Sequence, residues 1–431
     1  MRRRRAGQHA FSRESGQGLF VLLALLLFVG AGLIFSLARP APPNIKNNEQ
    51  TTAALAQAKD ALIGWSVQRT SSVALPNARP GELPCPDNNN DGFEDGTCVA
   101  GALGRVPWKT LGIPEPKDGA GETLWYALAG PFRIWAVNAN QIDNDTKGNI
   151  TVYSGSSSTV MTLEAVAVIF APGAVLGAQD RSCTVGVNCT ATGQCTTSPA
   201  SLTPKCNPTN YLDTTGGGNN ATTNGPYISA QPSNTFNDRL LVITTDSLMT
   251  VVEKRVAREM LALLERYRTA PGKSCPNNCY TWADEDFTNE GDNDAFRGWL
   301  PLGEADPDDW SVPPPIPVGL NITVPAWLTN NDWWKVVYYA VAPDKTENNS
   351  GGTLTVVGDP STYDVVLITP GPALPGVARP NPPLSPTPTP AQIAAYWAQY
   401  LNDPENSDHI NNIYVRPSSS AYTRDRIYVV P

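Results

Sequence analysis

Histidine is almost missing from this chain: there are two in 431 residues, and His9 lies near the N-terminus, which leaves His409 alone in the body of the protein. Ser-His and Cys-His chemistry needs an imidazole base beside the nucleophile, so this scarcity argues against both. No GxSxG elbow, glycine-rich phosphate loop or HExxH helix is present either. Zinc has little support, because one body histidine and no paired CxxC motifs cannot build the usual four-ligand set. Charge is also scarce, at 16% of residues, and its balance is acidic, with a net charge of −9. A surface of that sign does not suit nucleic acid. The chain is therefore expected not to be an enzyme, with no catalytic residues assigned.

Proline and glycine, by contrast, are plentiful, at 40 and 35, and hydrophobic residues make up 41%. Long loops around one or two cores follow from those numbers. The eight cysteines all lie beyond residue 80 and fall as close neighbours. An even count placed in this way reads as disulfides in an oxidising compartment. Cys85–Cys98 and Cys275–Cys279 are the expected bridges. Cys183, Cys189, Cys195 and Cys206 allow three pairings, which the sequence leaves open.

The N-terminus is organised differently. A basic leader, residues 1–18, carries Arg2, Arg3, Arg4, Arg5 and Arg13, and an uncharged apolar run follows over 19–38. A helix of that length spans about 30 Å, so the run reads as a transmembrane helix with a cytoplasmic N-terminus. Residues 39–48, with Pro40, Pro42 and Pro43, read as a Pro-rich linker. A long signal peptide and a plain signal anchor both fit this pattern. A third reading rests on Gln17-Gly18-Leu19-Phe20-Val21-Leu22-Leu23, which resembles the prepilin signal of type IV pilins and type II secretion pseudopilins. The resemblance implies cleavage between Gly18 and Leu19 by a prepilin peptidase. It also implies a single-pass inner-membrane location with the bulk of the chain periplasmic or extracellular. Its implied partners are the membrane, inner-membrane assembly proteins and other pilin-like subunits. Leu23 stands where the family usually has a Glu.

Beyond the linker, one pattern occurs twice. Thr52–Trp65 and Val251–Tyr267 each carry apolar residues at helical spacing. Cys85-Pro86 and Cys275-Pro276 come next, then Trp108 and Trp299. Trp125–Ala129 matches Tyr338–Ala342, and Val166–Gly173 matches Val365–Gly371. Arg181 matches Arg379, Tyr211-Leu212-Asp213 matches Tyr400-Leu401-Asn402, and Asp238-Arg239 matches Asp425-Arg426. Order is kept throughout, so a tandem duplication is expected, with units at 49–248 and 249–431. The fold class expected is α+β. An N-terminal transmembrane helix precedes two related units, each a helix packed on a mostly antiparallel sheet, like pilin heads. Asp238 and Asp425 read as turn clamps. Gly216-Gly217-Gly218-Asn219-Asn220 reads as a flexible loop.

The best candidate site is Asp87-Asn88-Asn89-Asn90-Asp91-Gly92-Phe93-Glu94-Asp95. Asp87, Asn89 and Asp91 put oxygen side chains at alternate positions, and Gly92 permits a sharp turn, as in a calcium loop. Phe93 offers a carbonyl, and Glu94 or Asp95 a closing carboxylate. Calcium, if bound, is expected as a structural ion and is the one cofactor foreseen. The acidic stretch from Asp284 to Asp294 is the looser counterpart. The tryptophans Trp282, Trp299, Trp310, Trp327, Trp333, Trp334 and Trp397 read as core, with Trp333-Trp334 on opposite faces if in a strand.

These features give a leading reading: a large minor pilin-like or pseudopilin-like component of an exported filament or secretion apparatus, acting by assembly and binding. The alternatives are a signal-anchored extracytoplasmic binding or adhesion protein outside any filament, and an exported carbohydrate-active enzyme built on paired carboxylates.

Overall fold

The computed structural model describes residues 43–70, 78–96, 98–133, 142–196, 203–270, 279–284, 295–302, 322–331, 333–346, 351–374, 376–377, 379, 389–408, 410–417 and 425–431. Gln50–Pro431 forms one compact unit, and Met1–Glu49 is a separate one. Gly18, Leu19 and the run 19–38 lie outside the described residues. Among the described residues, no helix is long and apolar enough to cross a membrane. This corrects the expected fold class, with its transmembrane helix, and the expected single-pass inner-membrane placement. The two long helices show the physical reason. Helix α1, Pro43–Gln68, carries Lys46, Glu49, Lys59 and Asp60, and helix α2, Thr245–Thr269, carries charges in nearly every turn. Both have one apolar stripe rather than an apolar surface.

Helix α1 begins at Pro43, so the expected linker over 39–48 gives way to helix there. Proline is tolerated at a helix start, where its missing N–H has no partner to lose. Leu55, Ala58 and Leu62 form the buried stripe of α1. Helix α2 opens on a reciprocal cap in which Thr244 and Ser247 exchange side-chain and backbone bonds, and Asp246 sits in its first turn. Its stripe is Leu248, Val252, Val256, Met260, Leu263 and Leu264, all buried.

Each helix introduces a sheet, and the two sheets have the same plan. In the first half, β1 (Leu103–Arg105), β2 (Trp125–Leu128), β5 (Ala167–Ala171) and β9 (Arg239–Ile243) lie side by side in that order. Every neighbouring pair is antiparallel. In the second half, β10 (Arg297–Gly298), β11 (Tyr338–Val341), β14 (Val365–Thr369) and β16 (Arg426–Val430) repeat the order and the sense. A three-stranded sheet accompanies each. In the first, β3 (Ile150–Ser154) pairs with β4 (Ser156–Ala165) antiparallel and with β8 (Tyr227–Ser229) parallel. In the second, β12 (Leu354–Val356) pairs with β13 (Thr362–Tyr363) antiparallel and with β15 (Ile413–Tyr414) parallel. The stretch at Gly216-Gly217 is a tight turn between β6 (Thr214–Thr215) and β7 (Gly218–Asn219), not a loose loop. Both glycines have positive φ, 54° and 87°, which side chains rarely adopt.

Register fixes which residues are equivalent. Tyr126 faces Gly104, and Tyr339 faces Gly298. Trp299 therefore corresponds to Arg105, and both exchange backbone bonds with an aspartate, Trp299 with Asp284 and Arg105 with Asp87. This overturns the match of Trp108 with Trp299: Trp108 is half-buried and Trp299 fully buried. The same offset sets Trp282 opposite Cys85, so the two Cys-Pro words are not equivalents. Trp333-Trp334 lie in a short helix, Trp333–Val336, where both are buried, rather than in a strand.

The sheet end is locked in each half by a buried arginine. Arg181 donates from Nε to the Asn210 carbonyl (2.8 Å) and from Nη1 to the Gly173 carbonyl (2.9 Å), and lies over the Tyr211 ring. Arg379 donates to the carbonyls of Gln399 (3.0 Å), Gly371 (2.6 Å) and Tyr400 (2.9 Å), and lies over the Tyr400 ring. Their acidic partners differ in origin. Arg181 pairs with Glu122 of its own half (3.1 Å), whereas Arg379 pairs with Asp145 of the first half (3.1 Å). Asp145 also accepts the Ala373 N–H, and Asn144 donates to the Pro370 carbonyl. The loop 142–146 thus plugs the second half, and one hydrophobic cluster runs through both.

Arg379→Ala is expected to destabilise the protein by about 3 kcal/mol, because three carbonyls and the Asp145 carboxylate lose their donor together. Arg379→Lys should recover little of this, since one ammonium cannot replace a planar fork. Urea unfolding midpoints of the three proteins check both statements.

Candidate functional site

The residues expected to form a calcium loop do form one closed loop. Asp87 is buried at 1% exposure. Its Oδ1 accepts the N–H groups of Asn89 (3.1 Å), Asn90 (2.7 Å) and Asp91 (3.3 Å), and its Oδ2 accepts that of Gly92 (2.7 Å). Asn89 accepts the Asp91 N–H, and Asp91 the Phe93 N–H. Glu94 accepts the Cys85 N–H, and Asp95 the Asn88 N–H. Gly92 has φ 87°, and a Cβ there would meet Trp108 at 2.8 Å, so the turn needs glycine. Burial pushes Asp87 up to about 6, against the pull of its N–H donors. The carboxyl is thus mainly ionised at neutral pH and closes the loop on backbone amides.

The oxygens that reached the interior of this loop are of the hard type calcium takes. However, among the described residues no group of three or more His, Cys, Asp or Glu is placed to hold a metal. Phe93 presents its ring outward at 53% exposure, beneath the Lys109 ammonium. Of the acidic counterpart, only Asp284 is among the described residues.

Disulfides brace this region. Cys85–Cys98 closes the loop, and Cys183–Cys189 and Cys195–Cys206 settle the pairing that the sequence left open. The Cys195 N–H donates to the Asn89 carbonyl, and Asn90 Nδ2 to the Gly193 carbonyl, so the second cysteine loop leans on the first. Cys279 is disulfide-bonded, whereas Cys275 lies outside the described residues.

The tryptophans form core. Trp299, Trp333 and Trp397 are buried, as are Trp282, Trp327 and Trp334; Trp310 lies outside the described residues. Trp299 packs on Trp397 at 4.9 Å and on Tyr396 at 5.4 Å. In the first half the equivalent Arg105 lies over Trp125 (4.9 Å) and Tyr211 (4.6 Å). One repeat fills this slot with a cation over two rings, the other with a ring.

A second constellation was not foreseen. Asp213 and Asp238, 25 residues apart, bring their carboxyls within hydrogen-bonding reach. Asp238 is 2% exposed; its Oδ2 accepts the Asp213 N–H (2.7 Å) and Asn220 Nδ2 (2.9 Å), while its Oδ1 is buried without a donor. Asp213 accepts Gln179 Nε2 (2.9 Å) and the Asn237 N–H (2.8 Å). Burial, then the Asp213 charge, holds Asp238 well above the carboxylate range; burial also raises Asp213. Asp213 lines a cleft of about 400 Å³ together with Leu176, Gln179, Asn210, Asn234 and Thr235. The only sequence signal was the change from Tyr-Leu-Asp in the first repeat to Tyr-Leu-Asn in the second.

No protein-family model matches this chain, and no curated protein or solved structure shows significant similarity to it.

Proposed function

We propose that this protein is a large minor pilin-like or pseudopilin-like component of an exported filament or secretion apparatus, and that it acts by assembly and binding. The observation that carries this reading is the twice-used head: a long helix laid before a four-stranded antiparallel sheet, in the same strand order each time. The disulfides add to it, because such bridges persist in oxidising compartments outside the cytosol. In this reading the chain is cut between Gly18 and Leu19 by a prepilin-type peptidase, and the partners of the double head are other pilin-like subunits. N-terminal sequencing of the mature protein is expected to begin at Leu19. A mature chain that keeps Met1, or that starts near Arg39, counts against the pilin class.

Calcium at the loop closed by Cys85–Cys98 is a second, separable part of the reading. Asp87, Asn89 and Asp91 supply the hard oxygens, Phe93 a carbonyl, and Glu94 or Asp95 the remaining carboxylate. An ion bound only to the folded state raises the unfolding temperature as its concentration rises. Millimolar calcium is therefore expected to raise the thermal midpoint, and the combined Asp87→Ala and Asp91→Ala change to abolish the rise. A midpoint that is the same in calcium and in chelator leaves a loop held by amides and a disulfide alone.

A further inference from the structure

Two facts about the first half, and a comparison with the second, converge on the Asp213–Asp238 pair. The two carboxyls lie within hydrogen-bonding reach, brought there by the Asp213 N–H on Asp238 Oδ2 and the Asn237 N–H on Asp213, and Asp238 Oδ1 is buried with no donor. A buried acceptor facing a second acceptor is unfavourable unless a proton lies between them. The second half supplies the comparison. Asp425 occupies the place of Asp238 and Asn406 that of Asn220. The secondary bonds are the same too: Asn220 brackets Ile228 through its N–H and C=O (2.8 and 3.1 Å), and Asn406 brackets Val415 likewise (2.8 and 3.0 Å). There, however, Asn402 replaces Asp213, and both Asp425 oxygens have donors: the N–H groups of Asn402 (2.8 Å) and Asp403 (3.2 Å), and Asn406 Nδ2 (3.1 Å). The same clamp is thus built once with a carboxyl pair and once with a single carboxylate.

We infer that Asp213 and Asp238 share one proton and act as a pH-sensitive latch, which holds the walls of the first-half cleft together while the proton is present and lets them part when it is lost. The segments so joined are 209–214, 220 and 234–238, and Gln179 ties the loop after β5 to them through Asp213. The cleft bordered by Asp213 lies between these segments.

The charged groups facing the pair favour this assignment. Arg181 is the cation acting on Asp213. Its guanidinium is already committed to the Asn210 and Gly173 carbonyls, to Gln179 Oε1 and to Glu122, so it cannot neutralise a second charge fully. On Asp238 the charge that acts most strongly is that of Asp213. Two full negative charges at this contact repel in a poorly solvated site, so the fully ionised state is the strained one.

The sign follows from linkage. The raised folded-state value means that the native state holds a proton that the unfolded chain has already released. The latch is therefore strongest at low pH, and its contribution is lost as pH rises through the titration of the pair. Once the proton is required for closure, the open population grows about tenfold per pH unit above that point.

Hydrogen exchange on the full chain tests the latch, with peptides from 209–238 read against peptides from 400–406 and 425–430 of the same molecule. After correction for the intrinsic rate, protection of 209–238 is expected to fall about tenfold per pH unit on the alkaline side, while the second-half peptides, whose Asp425 is raised by burial but less than Asp238, complete any change at lower pH. Asp213→Asn, which copies the second-half arrangement, should remove the pH dependence and keep the fold. Asp238→Asn provides an independent check, since it also leaves one carboxyl. Parallel pH dependence in both halves overturns the proposal, and so does its persistence in Asp213→Asn.

Discussion

The structure depends on two buried guanidinium groups. Arg181 and Arg379 each sit where a chain leaves the sheet, and each satisfies carbonyls that have no strand partner. A buried carbonyl without a donor costs about as much as a lost hydrogen bond, roughly 1–3 kcal/mol, so a single side chain that serves several of them governs the whole corner. Lysine has the charge but not the planar fork. The aromatic ring beneath each guanidinium, Tyr211 or Tyr400, fixes the angle of approach. That geometry also places Asp213 and Asn402, two residues beyond the tyrosines, against Asp238 and Asp425.

What couples the halves is the origin of the anion on each arginine. The first half closes its corner with Glu122, and Asp118 accepts the Gly173 N–H (2.8 Å) beside it. The second half borrows Asp145, which accepts the Ala373 N–H in a similar place. The first halves of the two corners are alike, but the second is completed only by a loop from the other repeat. Helix contacts follow the same rule: Gly119 donates to Thr51 within α1, and Thr245 at the start of α2 donates to the Thr146 carbonyl. Shared closure of this kind explains why the residues from Gln50 onward make one compact unit, not two.

Divergence between the repeats then falls at positions where the plan tolerates a change of chemistry. Arg105 and Trp299 fill one slot as a cation over rings or as a ring among rings. Leu55 in α1 has as its counterpart Glu253 in α2, a buried acid that Arg426 reaches from the last strand. In the first half, the strand residue Arg239 instead donates to Thr52 (3.0 Å), the counterpart of Thr250, which Arg426 also contacts (2.8 Å). Three disulfides and the amide-closed loop at Asp87 belong to the first half, and the tryptophan cluster to the second.

The residues alone carried the words repeated in order, the two long amphipathic helices and the principal strands, because each rests on local spacing. Local Cys85–Cys98 bridging was legible for the same reason. Tertiary structure decided the rest. Matching Trp108 to Trp299 followed the letters, whereas the ladder is set by Gly104 and Gly298, and only backbone pairing reveals that Arg105 and Trp299 share a slot. Trp333-Trp334, which the sequence reads as core without fixing their element, lie in a helical turn that buries both rings. The pairing of Cys183, Cys189, Cys195 and Cys206, the plug of Asp145 into the second half, and the contact of Asp213 with Asp238 join residues that spacing does not relate. Such contacts are chosen by the packed chain as a whole, because the cost of burying a charge or a carbonyl is settled only by what arrives beside it.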